Sequence, residues 1–442
     1  MKVVFFFVFN LFVFNCAISQ NHTKAIKFYN QALEKYKQND FKGAIIANTQ
    51  AINLDSNYSE AYNDRGISKA QLKDYVGAIE DFNNAIKIDS KYTEAYYNKG
   101  KANSNLKNYT IAIVDFDKAI ALRNTDANTY LERANAKQAL KEYKESIFDY
   151  TNAIQFNPKF VNAYYGRALA KYVLKDFKGS VDDFSQVIEF QPSYYEAYNE
   201  RALSKIELND INGAIEDLSK CVELNPKYTI AYVNLGKLKI AANDYKGALL
   251  VYNELLSANE TDASLWQIRG MVKLNLKNYQ SAIDDFTKSI QLNPNNEDAF
   301  NNRAIAKNYL KDFKGSYDDY TKAIQLIPNN LVAYYNRGAV AIELNDLLGA
   351  IKDLTVVIDA NSKDVDAMYY RAQAFEKLKD FTKAIADYAQ IIAINANDGV
   401  AYRKRGVAKI NANQKESGCT DLARALELKE TFANYYMKQY CK

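Results

Sequence analysis

The sequence predicts an all-α solenoid: twelve helix-turn-helix units of thirty-four residues, closed by a C-terminal capping helix. Three observations predict it. One pattern, as in EDAFNNRAIAKNYLKDFKGSYDDYTKAIQLIPNN from Glu297 to Asn330, recurs from Ala25 to Phe432 without insertion, and a fixed period of this size sets the architecture. Small residues recur at fixed slots. All five prolines (Pro158, Pro192, Pro226, Pro294, Pro328) fall at one slot, where a residue that lacks an N–H ends a helix.

The units begin at Ala25, Ser59, Thr93, Ala127, Val161, Tyr195, Thr229, Ala263, Glu297, Leu331, Val365 and Gly399, the last ending at Phe432 before a cap over residues 433–442. Within a unit, Phe300, Arg303, Ala304 and Lys307 share one face of a first helix at three- and four-residue steps. A turn follows at Lys311-Asp312. Phe313, Ser316, Tyr317, Tyr320, Ala323 and Ile324 then line one face of a second helix.

The eighth slot is Gly or Ala in every unit, from Ala32 to Gly406, and the twentieth is Ala, Ser or Gly, from Ala44 to Gly418. Nothing larger lets the two helices approach. The fourth slot is bulky throughout, mostly Tyr, with Phe28, Trp266, Phe300 and Met368 elsewhere, and is read as filling the space the small residues leave. This order of aromatic, Gly/Ala, Ala, aromatic and Pro resembles the tetratricopeptide repeat family over nearly the whole chain. The resemblance implies a right-handed superhelix whose first helices line a concave groove for extended peptides or partner helices.

The seventh slot is basic and the twenty-third is Asp in the same ten units, among them Arg65 with Asp81, Arg303 with Asp319 and Arg337 with Asp353. The exceptions coincide: Gln31 with Ala47, and Leu235 with Val251. Joint loss predicts an ion pair inside each unit rather than a row of ligand contacts, because Arg303 shares its stripe with Phe300 and Ala304.

At the N-terminus, Lys2 and the apolar run Val3 to Phe14 precede Ala17-Ile18-Ser19. The run is shorter than the ~20 residues that span a bilayer. It reads as a secretory signal peptide over residues 1–19, which places the protein in the periplasm or outside the cell. A second reading, lipid attachment at Cys16, ranks below it because Val13-Phe14-Asn15 lacks the small residues of bacterial lipoproteins. Cys221 stands where other units carry Ala and reads as a small buried filler. Cys419 and Cys441 lie at similar distances either side of a turn near Lys429-Glu430, so the sequence predicts a disulfide closing the cap.

Chemistry is sparse. The single histidine, His22, permits neither a metal-binding His pair nor a Ser-His-Asp arrangement, and no phosphate-binding loop is present. No cofactor, metal or catalytic role is expected. The net charge is +4 with no basic block, which argues against nucleic acid as partner. Other proteins are the expected partners. The groove candidates are the fifth-slot residues Tyr97, Tyr165, Tyr335, Tyr369, Asn63, Asn199 and Asn301, joined by Tyr172 and Tyr309. Tyrosine offers rigid apolar area with a polar tip, and asparagine can hydrogen-bond a peptide backbone. The family's chaperone-binding members use a Lys/Asn carboxylate clamp at the fifth and ninth slots, which no unit here carries. A receptor for a small molecule or glycan is the alternative to a protein-binding scaffold.

Overall fold

A computed structural model describes residues 21–441, and all regular structure among them is helical. The expected signal peptide and Cys16 lie outside the described residues. Each repeat is a hairpin, as in Glu297–Tyr309 and Phe313–Leu326. The turn between them is built by backbone groups. Lys311 sits at φ 61°, and Lys or Asn takes the left-handed conformation at the matching place from Asn39 to Asn413. That conformation costs a residue with a Cβ about 1–2 kcal/mol. It lets the Lys311 and Asp312 N–H groups reach the carbonyls of Asn308 at 2.9 Å and Lys307 at 3.0 Å. Asp312 then caps the second helix by accepting from the Gly315 N–H at 2.9 Å. Glycine lets the Asp312 carboxylate sit close, since a Cβ would fall 2.2 Å from it, although Asp380 makes the same cap to Lys383 at 3.2 Å. The helix ends at Ile327, held extended ahead of Pro328.

The eighth and twentieth slots bring the two helices of a hairpin together, as expected of small residues. The ring that fills the gap is another one, however. A Cβ on Gly100 would fall 2.6 Å from Phe116, and one on Gly270 would fall 2.7 Å from Phe286. Phe82, Phe116, Tyr150, Phe184, Tyr252, Phe286, Tyr320 and Tyr388, all at the twenty-fourth slot, are at most 1% exposed. The fourth-slot rings are mostly half-buried and lie under the seventh-slot arginines instead, with Arg303 5.5 Å from the Phe300 centroid and Arg269 4.7 Å from Trp266.

Arg65 reaches Asp81 at 2.6 Å, Arg303 reaches Asp319 at 2.6 Å, and Arg337 reaches Asp353 at 2.7 Å, each inside one hairpin. Two further partners join the pair. Lys307 stands 2.8 Å from Asp319, and Arg303 Nη1 donates to Thr287 Oγ1 of the preceding hairpin at 2.9 Å. The arginine thus closes its own hairpin and stitches it to the one before. In the seventh unit, one of the two that lack this charge pair, Leu235 and Val251 are buried in its place.

The chain divides into two compact units, one ending at Ala231 and the other starting at Tyr232. Each is a stack of these hairpins. The second ends in the short helix Ala433–Tyr440, after which Cys441 is bonded to Cys419 across a Cα–Cα distance of 5.7 Å. Arg403 lies between the Phe432 and Tyr436 rings and 3.0 Å from Glu430, which fixes the cap on the last hairpin. Cys221 is fully buried.

Candidate protein-binding surface

Two open clefts form where the first helices of successive hairpins lie side by side. One, of ≈ 390 Å³, is lined by Leu131, Glu132, Gln138, Asn162, Tyr165 and Leu169 among others. The second, of ≈ 440 Å³, has Asp366, Tyr369, Tyr370, Gln373, Val400 and Lys404 on its walls. Each compact unit holds one of them. A fifth-slot tyrosine stands in both.

These tyrosines are fixed by rings and carboxylates. Tyr165 stacks on Tyr194 at 5.1 Å and meets Phe184 edge-on at 5.5 Å. Tyr369 donates its hydroxyl proton to Asp398 at 2.9 Å. Tyr335 lies edge-on to Tyr370 at 5.6 Å, and burial pushes its hydroxyl up to about 12. Tyr97 is half-buried against Phe116. All four are held in place and half-buried.

The asparagines at the same slot behave differently. Asn63 and Asn199 are 3% and 1% exposed, which corrects the expectation that they meet a ligand. The Asn side chain is too short to pass its neighbours, and it bonds inward. Asn63 donates to Asp64 at 3.0 Å and accepts from Asn98 at 3.1 Å, and Asn199 donates to Glu200 at 3.1 Å. Asn301 is half-buried, and its Oδ1 has no hydrogen-bond partner among the described residues. Tyr172 and Tyr309 sit at the turn end of their helices, outside both clefts. They pack on the start of a second helix, Tyr172 edge-on to Phe177 and Tyr309 stacked on Tyr279 at 4.7 Å.

Sequence reasoning missed the carboxylates of the sixth slot, Asp64, Glu132 and Glu200. The signal was available, since an acid stands beside the fifth-slot residue in the second, fourth and sixth units. Burial pushes the Asp64 and Glu200 carboxyls above the ordinary carboxylate range, partly opposed by hydrogen bonds from Tyr29 and Asn63 to Asp64 and from Asn199 to Glu200. Burial also raises Glu376. The surface thus joins rigid rings to poorly solvated acids. Among the described residues no group of His, Cys, Asp and Glu has the geometry to hold a metal, and no helix is long and apolar enough to cross a membrane.

Sequence models described as tetratricopeptide repeat match residues 93–126, 127–160, 205–272, 263–296 and 335–399, and one described as TPR repeat matches 69–107. No curated protein matches the chain. Similar solved structures include YrrB, described as a TPR protein with an unusual peptide-binding site, at 18% identity over 42% of this chain and 95% of its own, with a TM-score of 0.39. A tetratricopeptide repeat protein from Parabacteroides merdae is 18% identical over 56% of this chain and 98% of its own, with a TM-score of 0.40. The Cut9-Hcn1 hetero-tetramer structure is 12% identical over 96% of this chain and 98% of that one, with a TM-score of 0.39. From the repeat matches, of which 93–126, 127–160 and 263–296 coincide with whole units, and from the hairpin stacks in both units, the chain belongs to the tetratricopeptide repeat family.

Proposed function

We propose that the protein is an exported, non-enzymatic scaffold whose first-helix faces hold extended segments of other proteins. The observation that carries this reading is the pair of clefts, each walled by a fixed fifth-slot tyrosine and at least one carboxylate. A cleft between successive first helices accepts side chains of a strand laid across the hairpins, and half-buried tyrosines give contact area at little cost in side-chain freedom. Export is supported by the apolar leader sequence and by the Cys419–Cys441 bond, which suits an oxidising compartment. Neither nucleic acid nor membrane is proposed as a partner. Tyr194 covers one face of Tyr165, which leaves that cleft less ring surface for a stacked sugar.

The test is a photoreactive residue placed in the full chain in cells, at Asn162 or Gln373 in the clefts, or at Val76, which is 71% exposed and outside both. The expected result is one discrete protein adduct from Asn162 and Gln373 that Val76 does not give. The same adduct at equal yield from Val76 overturns the reading.

A further inference from the structure

The two clefts are walled mainly by the second, fifth, sixth and ninth slots of successive first helices. At those slots the two compact units differ in charge. The first six repeats, all in the first compact unit, carry Glu60, Asp64, Glu94, Glu132, Glu196 and Glu200 against one cation, Lys101. The last five repeats carry Asp298 and Asp366 against Arg403 and Lys404. The whole chain is +4, so the acid excess belongs to this one face and not to the composition.

Elsewhere the chain answers its carboxylates with cations. Asp217 holds Arg201 at 2.6 Å and Lys205 at 2.8 Å, and Glu94 holds Arg123 at 2.8 Å. Among the described residues no cation pairs with Asp64, Glu132 or Glu200. The hydrogen bonds of two of them come from neutral groups, Tyr29 and Asn63 to Asp64 and Asn199 to Glu200. All three are half-buried, where the lower local dielectric makes an incoming cation worth more than at an open surface.

Two of these acids meet at one ring. Glu132 shares its cleft with Tyr165. Burial first, and then the Glu200 charge, pushes the Tyr165 hydroxyl above its ordinary range. Tyr165 thus has an uncompensated acid on the hairpin before it and another on the hairpin after it. The chain's own arginines show what such a setting takes. Arg133 lies over the Tyr130 ring at 5.5 Å while donating to Asp149 at 2.9 Å. A guanidinium serves ring and carboxylate together, through its charge and its fork of donors.

We propose that the first-helix face of the first compact unit takes an extended protein segment rich in arginine or lysine, whose cationic side chains enter the cleft at Tyr165 and pair with Glu132 and Glu200. The proposal rests on the scaffold reading and names the class of segment held there. The cleft of the second unit, with Asp366 and Lys404 on its walls, has no such preference.

The experiment is fluorescence anisotropy of a labelled peptide of Gly-Ser-Arg repeats titrated with the full chain, beside peptides carrying Gln or Glu in place of Arg. The expected result is saturable binding of the Arg peptide, at least about tenfold tighter than of the Gln peptide and weakened by salt, with no binding of the Glu peptide. Glu132→Gln combined with Glu200→Gln is expected to abolish the preference for Arg over Gln. Glu80→Gln combined with Glu216→Gln makes the same change in net charge at exposed second-helix positions and is expected to keep it. A folded wild-type chain that does not bind the Arg peptide, or binds it no better than the Gln peptide, overturns the proposal. So does an equal loss in the two double variants. If the Glu132 and Glu200 variant does not fold, the wild-type ratio of Arg to Gln peptide decides, and a ratio of one overturns it. In cells, a discrete adduct from Asn162 whose crosslinked segment lacks Arg and Lys removes this proposal and leaves the scaffold reading standing. An equal yield of that adduct from Val76 removes both.

Discussion

Arg303 and Asp319 meet through two parallel hydrogen bonds, Nε to Oδ2 at 2.8 Å and Nη2 to Oδ1 at 2.6 Å, across the gap between the helices of one hairpin. Their side chains are 15% and 6% exposed, so each ion depends on the other for solvation. Arg303→Ala strands the carboxylate and is expected to cost about 3–5 kcal/mol, reduced by whatever Lys307 recovers. Replacing both by Leu and Val, the combination present at Leu235 and Val251, is expected to cost less than the single change. Denaturant melts of the four members of the cycle check this, and zero coupling energy refutes it.

The turn lysines carry strain that glycine does not feel. Lys311→Gly is expected to raise stability by up to about 1 kcal/mol, because the left-handed backbone is free of penalty without a Cβ. Lys311→Val is expected to lower it. Melting temperatures of the two variants in opposite directions from wild type are the expected outcome, and movement in the same direction counts against it.

Burial raises the Glu200 carboxyl above its unfolded value. A group raised in this way contributes stability that is fully present below the unfolded pKa and is lost as pH rises through the folded one. Glu200→Gln has no such titration. Relative to wild type, the variant is therefore expected to be more stable at about pH 7 than at about pH 4. A difference in melting temperature that stays constant across that range rejects the assignment.

The Cys419–Cys441 bond closes a loop with a sequence separation of 22. A loop of this length stabilises by roughly 3 kcal/mol in the chain-entropy picture. Cys441→Ser is expected to lower the unfolding midpoint of the second compact unit, reductant to do the same to wild type, and reductant to leave the variant unchanged. Mass spectrometry of the unreduced protein gives the direct reading, and two free thiols there remove the bond.

The hairpins were legible because each stop signal repeats at one phase, and the ion pair because two units lose both charges at once. Depth was less legible. Helical spacing places the fourth and twenty-fourth slots on inward faces alike, and only the structure shows that Phe116 is buried while the fourth-slot ring is capped by an arginine. The fifth slot misled for a related reason. Tyr165 reaches a cleft from a position where Asn199, two atoms deep, remains beneath the surface and serves Glu200. The lysine of Lys307 recurs at Lys69, Lys137, Lys171, Lys205 and Lys273, yet its call on the same aspartate became evident only once both helices were in place.

The backward reach of Arg303 to Thr287 has a bearing on how such a chain changes length. Eight arginines, Arg65, Arg133, Arg167, Arg201, Arg269, Arg303, Arg337 and Arg371, each bond a side chain sixteen residues behind, and all eight also hold an aspartate sixteen residues ahead, whereas Arg405 has Ala389 behind it. Excising or copying a thirty-four-residue stretch bounded by two of these eight seams leaves the next guanidinium facing an equivalent pair of side chains. The gene can therefore gain or shed whole blocks by unequal recombination, and the product stays sealed at the join.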